Sequence, residues 1–264
     1  MVNATKFENI TQLKSWLNLE PTSGCPYSCA YCFRNSDGDF ALKEPIPLVS
    51  IEGLISDLLK HPLFVPDKTH LSISGTKGDA FLPQNKESTF QILKLLDDTG
   101  LKNLVTIVTK GLITKSDATR LKLFKKITPI VFVTYSEMPK TVESVPNEQR
   151  INSLENLHSE GIKTILYWRP IIDGYNNNES AIKKVLSIGE EFVDAFVISG
   201  LRMTKEIKNN FELLGLKLPD INWDPNHKYI SEETKSIIIS QYRALKCQKP
   251  LFYKSFKWII KIHS

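Results

Sequence analysis

The feature that most restricts this chain is an alternation of two patterns, repeated from about residue 16 almost to the end. Short apolar runs rich in β-branched residues read as strands at 16–20, 70–74, 104–109, 129–134, 163–169 and 195–199. Between them, segments of helical period fall at 51–60, 88–98, 116–126, 148–159 and 179–190, with Ser50, Thr114 and Asn147 as capping or flanking signals. Strands joined by helical crossovers pair in parallel with right-handed connections, which leaves an open doubly wound sheet or an incomplete β/α barrel. In both, the functional site lies at the C-terminal ends of the strands. An irregular stretch at 217–229 separates this core, residues 1–216, from a C-terminal helical and irregular extension, residues 217–264, with a helix at about 232–246.

With 264 residues the chain can bury a sizeable core unaided, so stability does not require a metal. Hydrophobic content of 41% and charged content of 24% predict a globular, soluble protein. The net charge of +5 favours anionic partners but is too mild to single out nucleic acid. The N-terminal segment lacks the basic flank and apolar run of a signal peptide, and no stretch reaches the roughly 18 apolar residues of a membrane span. A cytoplasmic location is the expectation. Three of the four cysteines lie within eight residues, which suits a ligand set in a reducing compartment better than a disulfide framework.

That group is Gly24-Cys25-Pro26-Tyr27-Ser28-Cys29-Ala30-Tyr31-Cys32, a C-x3-C-x2-C loop just after the first core strand. Thiolates are soft donors suited to iron–sulfur clusters or zinc, and three of them leave one iron of a cubane open to an exogenous ligand. Competing assignments are a structural zinc completed by Cys247 or a histidine, and three buried thiols. The loop resembles that of the radical S-adenosylmethionine (SAM) superfamily at Cys25, Cys29, Tyr31 and Cys32. The resemblance implies a [4Fe-4S] cluster on the three cysteines, with SAM chelating the open iron and cleaved by one electron to methionine and a 5′-deoxyadenosyl radical. It implies a partial (β/α)6 TIM-like barrel over about residues 16 to 203, and an electron donor such as flavodoxin or ferredoxin. Within the superfamily the chain is most similar to the spore photoproduct lyase-like group. The segment Ser74-Gly75-Thr76-Lys77-Gly78-Asp79-Ala80-Phe81-Leu82-Pro83 resembles that group's T-D-P-aromatic-x-P pattern, with Lys77 and Gly78 inserted and Ala80 at the expected proline.

The resemblance assigns the turn Ser74, Gly75, Thr76 and Asp79 to the methionine end of SAM, and carbonyls, a carboxylate and glycines suit an ammonium group there. It assigns Lys110 to the SAM carboxylate. Ser136, in Thr134-Tyr135-Ser136-Glu137, is the expected ribose contact, and Ile171 flanks the adenine. The sixth strand's end, Val197 to Arg202, offers backbone to the adenine edge. On the substrate side, Arg169 and Arg202 suit phosphate or carboxylate, and Glu20 is a further inward-facing candidate of unassigned role. Cys247 is a candidate hydrogen-atom donor, with a buried small hydrophobe as its alternative. One spare cysteine is too few for a second cluster. The tail 246–264 carries five lysines, no acid and the aromatics Phe252, Tyr253, Phe256 and Trp258, a pattern shared by anion-binding and surface-packed segments.

These observations predict a radical SAM enzyme of undetermined lyase, isomerase or transferase class, redox-neutral, acting on an anionic sugar or nucleoside-type small molecule. The alternatives are a nucleic-acid lyase or repair enzyme of the same superfamily and a non-enzymatic metal-binding interaction module.

Overall fold

The computed structural model describes residues 7–13, 16–32, 34, 43–219 and 227–253. Phe256 and Trp258 of the tail lie outside them. The chain divides into two compact units, one drawn from Met1–Pro26, Leu42–Phe132 and Asn156–Lys163, the other from Tyr27–Ala41, Val133–Glu155 and Thr164–Ser264. Their boundaries do not follow the division expected at residue 216.

In the first unit β1 (Ile10–Leu13) and β2 (Trp16–Leu19) form an antiparallel hairpin, and β3 (Thr22–Ser23) pairs antiparallel with β4 (Ile46–Pro47). Then come α1 (Ile51–Lys60), β5 (Leu71–Ile73), α2 (Lys86–Asp98), β6 (Leu104–Thr109), α3 (Lys115–Lys122) and β7 (Thr128–Thr134), the last continuing into the second unit. The strand order is β1-β2-β5-β6-β7. Leu17, Leu71 and Val105 stand in register across parallel strands, as do Leu19, Ile73 and Ile107, and all six are buried. Asn18, Ser72 and Thr106, which stand between them and point to the other face, are buried as well, as in a parallel sheet covered on both faces. α1 buries Ile51, Leu54, Ile55 and Leu58 and lies against α2, which buries Phe90, Ile92, Leu93 and Leu96. Two expected caps are present: Ser50 Oγ accepts from Gly53 N, and Thr114 and Asp117 form a capping box at α3.

The second unit contains α4 (Asn147–Ser159, whose last turn belongs to the first unit), β8 (Thr164–Ile171), α5 (Glu179–Phe192), β9 (Ala195–Arg202), α6 (Lys205–Leu213), β10 (Lys228–Tyr229), α7 (Glu232–Ala244) and β11 (Leu251–Phe252). β8 and β9 run parallel, with an irregularity between Trp168 and Ile171. β10 joins the C-terminal end of β9 antiparallel, Lys228 opposite Arg202 and Tyr229 opposite Leu201. β11 joins the N-terminal end of β9 in parallel, Leu251 opposite Phe196. α5 approaches β9 so closely that a Cβ on Gly189 would collide with the Phe196 ring. The fold is α/β with a mostly parallel sheet, as the alternation predicts.

Within the extension α7 packs along α5, with Thr234 Oγ1 donating to Asp173 at 2.6 Å and Gln241 to Glu179 at 3.0 Å. No helix among the described residues is long and apolar enough to cross a membrane.

Candidate functional site

In the first unit the chain between β2 and β3 and the turn after β5 are knotted through two side chains. Glu20, buried at 0% exposure, accepts through Oε1 from Thr76 N at 2.7 Å, Lys77 N at 3.2 Å, Thr76 Oγ1 and Asn18 Nδ2. Asn18 Oδ1 accepts from Gly75 N at 3.0 Å, so close that a Cβ at Gly75 would meet that oxygen at 2.7 Å. Gly24, at φ +124°, donates its N–H to Lys77 O at 3.0 Å, which fixes the start of the cysteine loop on the same turn. Ser74 takes a left-handed φ of +50°, a conformation that costs a non-glycine residue roughly 1 to 3 kcal/mol and is concentrated at functional sites. Ser74 Oγ and Glu20 Oε2 are buried without a hydrogen-bond partner. Burial pushes the Glu20 carboxyl above its ordinary value, against the bonds from Thr76, Lys77 and Asn18 that pull it down.

Asp79 corrects one expectation. It is buried, and its carboxylate is consumed by the protein: Oδ1 accepts from Phe81 N at 3.0 Å and from Thr109 Oγ1, and Oδ2 from Lys110 N at 2.6 Å. Asp79 therefore ties the turn after β5 to the turn after β6 and sets the backbone of Lys110, instead of offering an oxygen to a ligand. Burial raises its pKa despite those bonds.

In the second unit, Cys29 is buried and Cys32 half-buried on a tight turn, Cys32 N donating to Cys29 O at 3.1 Å. Ala30 N donates to Val142 O at 2.9 Å, and Ala30 joins a core cluster with Met138, Val142, Ile172, Leu201 and Ile207, against which Tyr31 packs. Cys25, half-buried, belongs to the first unit, and none of the cysteines is in a disulfide. Among the described residues no three His, Cys, Asp or Glu side chains close on a single metal ion.

After β7, Ser136 is buried at 0% exposure with its Oγ unpartnered, while Glu137 takes a left-handed φ of +52°. The buried Asn176 anchors this turn: its Nδ2 donates to Ser136 O at 2.6 Å and Pro170 O at 3.0 Å, and its Oδ1 accepts from Ile172 N at 2.8 Å. Ile171 is buried in β8 opposite Gly200. Arg169 lies over the Tyr167 ring, 3.7 Å from its centroid, and Glu137 pairs with Lys184 at 3.0 Å. Arg202 is exposed beside Lys228, itself exposed, whose pKa is lowered by partial loss of solvent around its ammonium and by the charges of Arg169 and Arg202. Three cations thus gather at the C-terminal ends of β8 and β9. Lys228 escapes sequence reasoning because its two-residue strand carries no periodicity, and Asn18 and Asn176 because the residues they bond, Gly75 and Ser136, are far away in sequence.

Cys247 corrects a second expectation. It follows α7, with its N–H donating to Tyr242 O at 3.1 Å, on a turn whose next two amides donate to the Glu190 carboxylate at 3.0 and 3.2 Å. Glu190 ends α5, and Pro250 O accepts from Phe196 N at the start of β9. The thiol therefore sits beside the N-terminal end of β9, and six strand residues at ~3.3 Å each put it roughly 20 Å from Arg202. That is the end of β9 opposite to the one where Arg202 stands. Burial and the Glu190 charge push the thiol pKa up, as for an inert packed cysteine.

No family model matches the sequence. An uncharacterized protein of Methanocaldococcus jannaschii is 26% identical over 221 residues, covering 80% of this chain and 78% of that protein. A mutant of spore photoproduct lyase with bound AdoMet and dinucleoside spore photoproduct superposes with a TM-score of 0.70 at 14% identity, over 96% of this chain and 81% of that one. The chain has the fold of spore photoproduct lyase. SuiB of Streptococcus suis bound to S-adenosylmethionine shares this lyase fold over 90% of the chain at 16% identity and a TM-score of 0.58, and the chain spans about half, 51%, of SuiB. The fold is the one implied by the resemblances drawn from the cysteine loop and from the segment Ser74 to Pro83.

Proposed function

We propose that the protein is a radical SAM enzyme in which Cys25, Cys29 and Cys32 hold a [4Fe-4S] cluster. The observation that carries this is the knot at Glu20. The element leading into a three-thiol loop is bonded to the turn after β5, and that junction keeps one buried carboxylate oxygen without a partner. Burying a carboxylate oxygen unsatisfied costs about 1 to 3 kcal/mol or more, which a ligand ammonium would offset. Three thiolates outside disulfides fit a cubane, each taking a different iron.

When bound, the cluster and SAM supply the one-electron cleavage that yields a carbon-radical initiator. The chain's own part is binding and orientation. In the first unit Glu20 Oε2 and Ser74 Oγ, both buried and unpartnered, would receive the SAM amino group, and Asp79 holds the backbone of Lys110, whose ammonium would pair with the SAM carboxylate. In the second unit Asn176 holds the turn that carries Ser136, which would bond the ribose, and Ile171 would contribute apolar surface.

Arg169, Arg202 and Lys228 support an anionic substrate, since their charges act on one set of strand ends and cationic side chains suit phosphate or carboxylate. A sugar or nucleoside-type metabolite transformed without net redox change fits one small cationic site; a dinucleoside, the ligand of the lyase, is the second reading on the same three residues. The enzyme would work in the cytoplasm with a flavodoxin- or ferredoxin-type electron donor. Anaerobic reconstitution with iron and sulfide tests the assignment. A brown protein that reductively cleaves SAM to 5′-deoxyadenosine, with activity lost in Cys29→Ala at unchanged circular dichroism, is expected. A colourless protein, or cleavage at wild-type rate by Cys29→Ala, overturns it.

A further inference from the structure

The first unit carries a basic and apolar face at the end of its sheet opposite to the Glu20 junction. The segments entering β5, β6 and β7, residues 61–70, 99–103 and 123–127, lie side by side there. Their strands are neighbours in the sheet, and Thr128 N donates to Asn103 O at 3.3 Å across the starts of β6 and β7. Residues 160–163 join them through Lys163, whose carbonyl accepts from Val131 N at 3.0 Å. Together the four segments hold five lysines, Lys68, Lys102, Lys125, Lys126 and Lys163, all exposed, against two acids. Asp67 accepts the Lys102 amide at 2.7 Å and Glu160 pairs with Lys122 at 3.3 Å, and no ion pair among the described residues engages any of the five. Lysines in a helix's last turn answer its carbonyl end, as Lys60 and Lys122 are placed to do, but these five stand beyond the last turns of their helices.

The same segments expose aliphatic side chains, Leu63 at 47%, Val65 at 48% and Leu123 at 65%. The tip from Pro62 to Pro66 is built so that it can leave water. Its two prolines have no N–H, while Leu63 N donates to His61 Nδ1 at 3.2 Å, Phe64 N to His61 O at 2.9 Å and Val65 N to Thr69 Oγ1 at 2.7 Å. The Leu63 carbonyl accepts from Thr69 Oγ1 at 3.2 Å, and the Val65 carbonyl from Lys68 N at 3.2 Å and Thr69 N at 2.9 Å. Asn103 Nδ2 donates to Thr69 O at 2.7 Å and ties the tip to the start of β6. Hydrocarbon accepts a backbone only when its polar groups are satisfied internally, and every N–H from residue 62 to residue 66 is satisfied or absent.

We propose that this face rests on an anionic bilayer surface, with Leu63, Val65 and Leu123 entering the boundary between headgroups and acyl chains and the five lysines meeting lipid phosphates. Apolar tips beside lysines complement such a surface at both levels, the hydrocarbon by area and the headgroups by charge. Nucleic acid fits less well, since the four segments have no arginine fork for phosphate and no exposed aromatic ring for a base to stack on. The Glu20 junction lies at the other end of β5, so docking by this face leaves it clear.

The test is sedimentation of the full-length protein with large unilamellar vesicles, of phosphatidylcholine alone or of equal parts phosphatidylcholine and phosphatidylglycerol, at low and at physiological salt. Binding to the anionic vesicles only, weakened by salt, is expected. Lys125→Glu with Lys126→Glu should lower the vesicle affinity by about 25-fold or more, a factor of about five for each lysine lost. Leu63→Ser with Val65→Ser should lower it about tenfold at either salt concentration, because the lost part is apolar. Both pairs of side chains are exposed, and circular dichroism identical to the wild type confirms that the variants fold. Either variant binding as tightly as the wild type would place the contact elsewhere, as in the basic tail 246–264, and overturn the proposal. A wild type that binds neutral vesicles equally well overturns it too. So does one that ignores anionic vesicles, which leaves an acidic protein as the partner of this face. None of these outcomes depends on the cluster assignment.

Discussion

Replacing Glu20 by glutamine separates holding the turn from binding a ligand. The Glu20→Gln side chain keeps an oxygen that can accept from Thr76 N and Lys77 N, and puts a neutral amide where the wild type buries an unpartnered carboxylate oxygen. Because burial raises the folded pKa of Glu20, the wild type loses stability as pH rises from the ordinary carboxylate range through that raised value. The variant lacks this loss. Relief of ~1 kcal/mol at neutral pH corresponds to a melting temperature about 2 to 4 °C higher for a chain of this size. Binding should move the other way, because a charge-assisted bond to the SAM ammonium contributes ~1.5 to 3 kcal/mol, or about 10- to 100-fold in affinity. Thermal melts of the ligand-free protein between pH 4.5 and 7.5, paired with calorimetric titration of SAM into reconstituted protein, measure both. A variant that melts lower than the wild type and binds SAM equally well would show that Glu20 serves only the turn.

Lys110→Ala should weaken SAM binding by ~1.5 to 3 kcal/mol with iron content unchanged, measured by the same titration and by iron assay. Cys247→Ser should cost about 1 to 3 kcal/mol in urea unfolding, for a hydroxyl in an apolar site, and leave product formation and solvent deuterium incorporation intact. Loss of product with normal 5′-deoxyadenosine release would restore it as a hydrogen donor. Lys228→Ala should raise KM for an anionic substrate while leaving uncoupled SAM cleavage unchanged, and an unaltered KM would detach Lys228 from the site.

What the sequence revealed and concealed follows the distance over which each interaction acts. The strand at 104–109 and the helix at 51–60 lie where their periodicities place them, because a continuous apolar run and a strong amphipathic stripe are local properties. The C-x3-C-x2-C loop was readable for the same reason. β1, with Thr and Gln among four residues, and α6, with its Asn-Asn pair, are held by partners elsewhere; α6 is anchored by Ile207 and Phe211 in the cluster that also buries Ala30. Asp79 looked like a ligand because a carboxylate at a strand end suits one, and only the approach of Thr109 and Lys110, thirty residues on, shows its oxygens taken. Cys247 was misplaced because nothing in a helix's own residues says which side of a barrel it will dock on.

The bonds from Glu20 and Asn18 to residues 75 to 77 also constrain inheritance. Positions 18, 20, 75 and 76 form one inherited block, although more than fifty residues separate its halves. Across homologues they should change together or not at all, and a grafted cysteine loop from a distant relative should function only when its own turn is carried with it.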